Sequence, residues 1–202
     1  MNIIKKKRRP IGRYLALAIL LFMAIIIYKN PLDQIYNGVQ QGQAEELLSL
    51  YQYRQEQIAR ANKLQQEGKT REAIRLYREI LHPDKNIANV HIELGKAYMR
   101  LKRYDDVLRH MHNALEINPS LAQPHLYIGK AWSRKGKQKK AVAHYQQVLK
   151  AHPDNFTAHL QIGLALMKQE NYKEALKHNQ IALKLNPSNV HASLNTGHVY
   201  NK

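Results

Sequence analysis

Glycine and proline recur in this chain at one interval. Gly95, Gly129, Gly163 and Gly197 stand 34 residues apart, and Pro119, Pro153 and Pro187 keep the same spacing. Two residue types that punctuate backbone structure, held in one register through 88–189, exclude most folds built around a single core. A period of this length marks a stacked architecture in which each unit buries its apolar face only against its neighbours. Function in such a stack is sought on an extended surface rather than in an enclosed pocket.

Each unit, starting at Ala88, Ala122 or Phe156, reads as a helix, a turn, a second helix and a proline-bearing loop. Its eighth position is Gly95, Gly129 or Gly163, where two helices approach closely because no side chain intervenes. The eleventh is large and apolar (Tyr98, Trp132, Leu166), the twentieth is Val107, Ala141 or Ala175, and the twenty-seventh is Ala114, Val148 or Ala182. Residues 54–87 follow the pattern with Ala61, Leu64, Ala73, Tyr77 and Ile80, but Pro83 comes two places early, so that connection differs. From about Gln43, Leu47, Leu50, Tyr51, Arg54, Ile58, Ala61 and Leu64 recur at three- and four-residue steps and predict one long helix, which Gly68 ends. Residues 190–202 supply only the first helix of a further unit. Its polar character (Ser193, Asn195, Thr196, His198, Asn201) suits either a terminal cap or a truncated repeat.

In this order of small and large residues the chain resembles the tetratricopeptide repeat proteins over 54–202. The resemblance implies an all-α fold, a superhelical solenoid of helix-turn-helix repeats with units 54–87, 88–121, 122–155 and 156–189 and a partial capping unit 190–202. It departs at His91, His125 and His159, where the family has a large apolar fourth residue, and at Asn179, where an aromatic or aliphatic residue is usual. It further implies a concave groove lined by positions two, five, nine, twelve and thirteen of each unit. Positions nine and thirteen are Asn62 and Gln66, Lys96 and Arg100, Lys130 and Arg134, Leu164 and Lys168, His198 and Lys202. Four apart, each pair shares one side of its helix, giving a basic ladder. Position two adds Asn89, Gln123, Thr157 and His191, and position five adds Ile92, Leu126 and Leu160.

The expected partner-binding residues are therefore Asn62, Asn89, Lys96, Arg100, Gln123, Lys130, Arg134 and Lys168. They suit an acidic peptide or protein segment, with Arg100 and Arg134 able to hold carboxylates bidentately. The clamp with which some family members grip a terminal carboxylate is not reproduced, since Asn62, Lys96 and Lys130 match it in type but not in spacing. A solvated basic face without a ligand is the plain alternative. Two others are a surface for an anionic polymer (glycan, lipid head groups or nucleic acid) and an accessory domain of an enzyme complex. Nucleic acid is not expected, because aromatic residues are not interleaved on the basic face.

Eleven histidines raise the question of metal, and six are periodic: His91, His125, His159 at one repeat position and His110, His144, His178 at another. Equivalent positions in neighbouring repeats lie about 10 Å apart, the separation of packed helices, whereas zinc ligands come within about 2 Å of the ion. No metal site and no cofactor is expected, and the repetition reads as duplication of one unit. Metalloprotease, phosphate-loop and nucleophile-elbow motifs are missing, the 15 carboxylates are scattered, and there is no cysteine, so an enzyme is not expected.

The formal net charge is +17. Residues 1–30 hold seven of the cations and no acid, leaving 25 cations against 15 acids, or +10, in the remaining 172 residues. After the basic run Lys5 to Arg9, Tyr14 to Tyr28 is free of charge, roughly 22 Å of helix against a hydrocarbon layer of about 30 Å. These features predict a basic cytoplasmic tail (1–10), a transmembrane signal anchor (11–29), a linker (30–42) and a repeat domain (43–202). Basic residues concentrated before the apolar run place the repeats on the periplasmic, lumenal or extracellular side. A cleaved signal peptide is the alternative, although Ile25-Ile26-Ile27-Tyr28 lacks the small residues that cleavage needs.

Overall fold

The computed structural model describes residues 41–82 and 87–200, with side chains from Leu47. The described residues form nine helices and no strand: α1 Gln41–Gln66, α2 Thr70–Leu81, α3 Ala88–Arg100, α4 Tyr104–Ile117, α5 Ala122–Arg134, α6 Gln138–Ala151, α7 Phe156–Met167, α8 Tyr172–Leu185 and α9 Val190–Tyr200. They fall into two bodies, one ending at Asn86 and the other beginning at Ile87.

The turn inside each helix pair has one design. Trp132 and Ser133, near the end of α5, accept bonds from the amides of Lys137 (2.9 Å) and Gly136 (3.1 Å). This double closure of the orphan carbonyls demands a left-handed residue between the helices, and Gly136 supplies it with φ +76°. Gly68 does the same at φ +80°, but Lys102 (φ 58°) and Glu170 (φ 61°) occupy the equivalent positions. A side chain in that region costs about 1 kcal/mol. Lys102→Gly and Glu170→Gly are therefore each expected to raise stability by about that amount, read as a higher midpoint in chemical denaturation with an unchanged slope. From Asn155 onward the helix starts carry side-chain caps: Asn155 accepts from the Ala158 amide at 2.9 Å and Asn189 from the Ala192 amide at 3.0 Å.

In the first body α2 lays Ala73, Ile74, Tyr77 and Ile80 inward, and α1 contributes Ile58 and Ala61. The Tyr77 hydroxyl donates to Asn62 Oδ1 and also lies 3.2 Å from Gln65 Oε1. In the second body every helix packs on the next, and the core sits where a small residue of the first helix faces a large one of the second. Gly95 meets Met111, Gly129 meets Tyr145 and Gly163 meets Asn179, so closely that an added Cβ would overlap each side chain. One cluster spans three helices: Ala141, Tyr145 and Ile162 are buried, with Leu126, Trp132, Val142, Leu149 and Leu166 packed against them.

First helices also touch first helices (α3 on α5, α5 on α7, α7 on α9), while successive second helices make no comparable approach. A stack that is tighter on one side curves toward it, so the first helices line the concave face of 87–200.

The expected single-pass membrane placement does not stand. Among the described residues no helix is long and apolar enough to cross a membrane. α1 has 26 residues but carries Arg54, Glu56, Arg60 and Lys63, and α2–α9 have only 11–14 each, about 21 Å at most at the usual rise. The segment expected to span, 11–29, and the tail, 1–10, lie outside the described residues, as does 30–40 of the linker.

Candidate functional site

The expected groove residues divide by what already holds them. Asn62 belongs to the first body, where its carbonyl accepts the Tyr77 hydroxyl. The others lie in the second body. Lys96, half-buried on α3, is 2.7 Å from Glu93 one turn earlier, and both side chains are about a quarter exposed. Arg100 ends α3 and is exposed, as are Arg134 at the end of α5 and Lys168 at the C-cap of α7. Asn89 and Gln123 are exposed in the first turns of α3 and α5, and the Asn89 carbonyl accepts from the Val90 amide at 2.9 Å.

Lys130 differs from its neighbours. It is half-buried, no carboxylate among the described residues pairs with it, and its ammonium lies 5.1 Å from the centre of the Tyr127 ring. Burial pulls its pKa below the ordinary lysine value. No Asp or Glu occurs between Glu116 and Asp154, whereas Lys130, Arg134, Lys135, Lys137, Lys139, Lys140 and Lys150 all fall there. Two of these cations rest on Trp132, with Lys140 at 4.5 Å and Lys135 at 5.7 Å from its ring centre. Lys135, just past the end of α5, also pairs with Asp105 in the first turn of α4. The third repeat, 122–155, is thus basic, with Lys130 against Tyr127, Lys135 and Lys140 against Trp132, and Asp154 in its closing loop as its one acid.

Beyond the expected partner-binding residues, a further cleft opens at the C-terminal end of the concave face, with His198 of the ladder in its lining. An open cleft of about 820 Å³ is lined by Met167, Ser188, Val190, Ser193, Leu194, Asn195, Gly197 and His198. Leu194 is 63 % and Val190 66 % exposed, so this end offers apolar surface beside the basic ladder. The signal for it was the same register: Met167 is a twelfth and Leu194 a fifth position.

The two periodic histidine sets, compared across repeats in the sequence, meet within each repeat instead. His91 and His110 face each other Nδ1 to Nδ1 at 3.0 Å, His125 and His144 at 3.2 Å, and His159 and His178 at 3.0 Å. The offset is 19 residues each time, which carries one ring across the turn to the second helix. Among the described residues no group of three or more His, Asp or Glu is placed to hold a metal ion.

Models of the tetratricopeptide repeat match residues 88–121, 128–190 and 160–200. The chain is a tetratricopeptide repeat protein. Solved repeat proteins share its fold. MamA, residues 41 to the end, from Desulfovibrio magneticus RS-1 superposes with a TM-score of 0.69 at 20% identity, covering 73% of this chain and 84% of that one. YrrB, described as a TPR protein with an unusual peptide-binding site, gives 0.62 at 21% identity over 72% and 75% of the two chains. The first TPR of Spaghetti (RPAP3), bound to the HSP90 peptide SRMEEVD, gives 0.55 at 20% identity over 56% of this chain and 90% of that one. A comparison with curated proteins finds no match. At these identities the likeness is one of fold, and repeat proteins of this fold are typically interaction scaffolds rather than catalysts.

Proposed function

We propose that this tetratricopeptide repeat protein is an interaction scaffold whose concave face, on the first helices of 87–200, takes an acidic peptide or protein segment. The observation that carries the reading is Lys130, a half-buried cation without a carboxylate partner among the described residues, inside a repeat that has no acid between Glu116 and Asp154. A carboxylate arriving beside it gains a charge-assisted bond where water is already partly excluded. Arg134 one turn on, with Lys96, Arg100 and Lys168 on the neighbouring first helices, extends the same charge. The apolar surface at Leu194 and Val190 would receive aliphatic side chains of the ligand. Asn62, tied to Tyr77, is assigned a structural part, and Asn89 and Gln123 are assigned hydrogen bonds to the ligand backbone. The peptide in the Spaghetti structure, SRMEEVD, has three acidic side chains and is compatible with such a face. The division proposed for the chain keeps a repeat domain over 43–202, with pairs opening near residues 54, 88, 122 and 156.

The test uses SRMEEVD and its neutralised form SRMQQVN as fluorescent probes. The acidic peptide is expected to bind the whole chain more tightly, and Lys130→Glu with Arg134→Glu to weaken it about tenfold or more, about 1.4 kcal/mol, without loss of helical signal. Equal affinity for the two peptides, or an unchanged value in the double variant, overturns the acidic-ligand reading. Competition by a sulfated polysaccharide with a steep salt dependence assigns the surface to an anionic polymer instead.

A further inference from the structure

Six histidines are committed to three buried or half-buried pairs, and interhelical pairing of like titratable groups carries a consequence that a hydrophobic contact at the same position does not. We propose that the His125–His144 pair, backed by His112 and followed by His159–His178, is an acid-sensitive latch that holds the two helices of a repeat together at neutral pH and loosens them in mild acid.

The geometry is head-on. Ring centroids are 5.5 Å apart in the His125–His144 pair and 5.1 Å in the His159–His178 pair, close to the nitrogen–nitrogen distance plus one ring width. The two nitrogens therefore lie near the line joining the rings, which suits a proton between them and not a metal ion beside them. One Nδ1 donates and the other accepts. In the third pair the roles are settled: His159 Nε2 is 2.9 Å from the Pro153 carbonyl, which only accepts, so neutral His159 carries its proton on Nε2. His178 must then donate from Nδ1. A first added proton goes to the outer nitrogen of the donor ring and leaves the bond intact at the expense of a partly buried charge. A second puts N–H against N–H and removes the bond while setting two cations together.

The surroundings rank the pairs. Burial, then the neighbouring imidazoles, holds His144 down to about 4, and burial followed by His112 lowers His125. His112 reaches the pair from α4, its ring edge-on to His144 with centroids 6.3 Å apart. No ionisable side chain of α3 or α7 is resolved as acting on this pair, and no carboxylate lies in the chain between Glu116 and Asp154. His178 is lowered by burial and by His159, with Lys177 adding and Glu174 opposing, so a carboxylate moderates this pair and none moderates the central one. Each folded value lies below the ordinary 6.5, so the unfolded chain binds more protons as pH falls beneath it. Stability is full above pH 6.5 and drops from there toward pH 4, an interval that begins above ordinary carboxylate titration. The latch does not depend on the groove reading.

Guanidinium denaturation of the whole chain at pH 7.5, 6.0 and 5.0 tests this. Between the outer two values the folding equilibrium constant is expected to fall about 30-fold from His144 alone. His144→Gln keeps a hydrogen-bonding side chain that does not titrate and is expected to lose that factor, while His152→Gln, at an exposed histidine outside the pairs, keeps the wild-type fall. Equal stability at all three pH values, or a fall in His144→Gln as steep as in the wild type, overturns the proposal. Should His144→Gln not fold, ring-proton NMR of the wild type decides: His144 and His125 both titrating below the ordinary 6.5 support the latch, and titration of either at 6.5 or above overturns it.

Discussion

Gly129→Leu is expected to destabilise the protein by about 3 kcal/mol, the upper part of the range for overpacking, and Gly129→Ala by a smaller amount of the same sign. A Cβ on Gly129 would sit 2.5 Å from Cε1 of Tyr145, and two further atoms of that ring lie within 3 Å of it. The ring is fully buried and hemmed by Ala141 and Ile162, so it has no rotamer to move to without opening the cluster. Gly95→Ala supplies the contrast. There the nearest atom is the terminal methyl of Met111, the far end of a flexible thioether. Alanine gains about 1 kcal/mol over glycine inside a helix, so Gly95→Ala is expected to be neutral or slightly stabilising. Chemical denaturation of the three variants checks this, and equal costs for the two alanine variants would contradict the assignment of rigid and yielding neighbours.

Those glycines show what was legible in the sequence. Their spacing, with that of Pro119, Pro153 and Pro187, was enough for repeated helix pairs, because helix starts, turns and close approaches are set by residues a few positions apart. Interhelical geometry was less accessible. The histidines were compared with their equivalents in the next repeat, whereas the contact runs 19 residues along the chain to the second helix of the same repeat. The register shows Tyr98, Trp132 and Leu166 as large apolar residues at one repeat position, but that Trp132 carries Lys135 and Lys140 on its ring depends on side-chain angles that no spacing specifies. In the same way the register places Lys96 in the basic ladder but does not show that Glu93 one turn back engages it. Lys102 and Glu170 hide a left-handed turn that only the register of Gly68 and Gly136 betrays. The membrane expectation rests on a run of apolar residues near the amino terminus, 11–29, which lies outside the described residues, and among the described helices none is long and apolar enough to cross a membrane.

Ile162→Ala is expected to cost about 3 kcal/mol and to reach further along the stack than any change at its edge. Ile162 is fully buried and belongs to α7, yet the residues packed around it, Tyr145 and Ala141 of α6 with Trp132 and Leu126 nearby on α5, are those of the preceding repeat. In a linear stack, stability is the sum of what each pair holds and what each interface adds, so truncating an interface residue weakens the pairs on both sides. Hydrogen exchange should therefore accelerate in α5 and α6 as well as in α7 and α8. Val199→Ala, buried in the last described helix with a packed neighbour on one side only, is expected to cost about 1 kcal/mol and to raise exchange in α9 with little effect beyond α8. If Ile162→Ala raised exchange in α7 and α8 only, the repeats would be independent pairs laid side by side, and the concave face would have no shared rigidity with which to hold one ligand along its length.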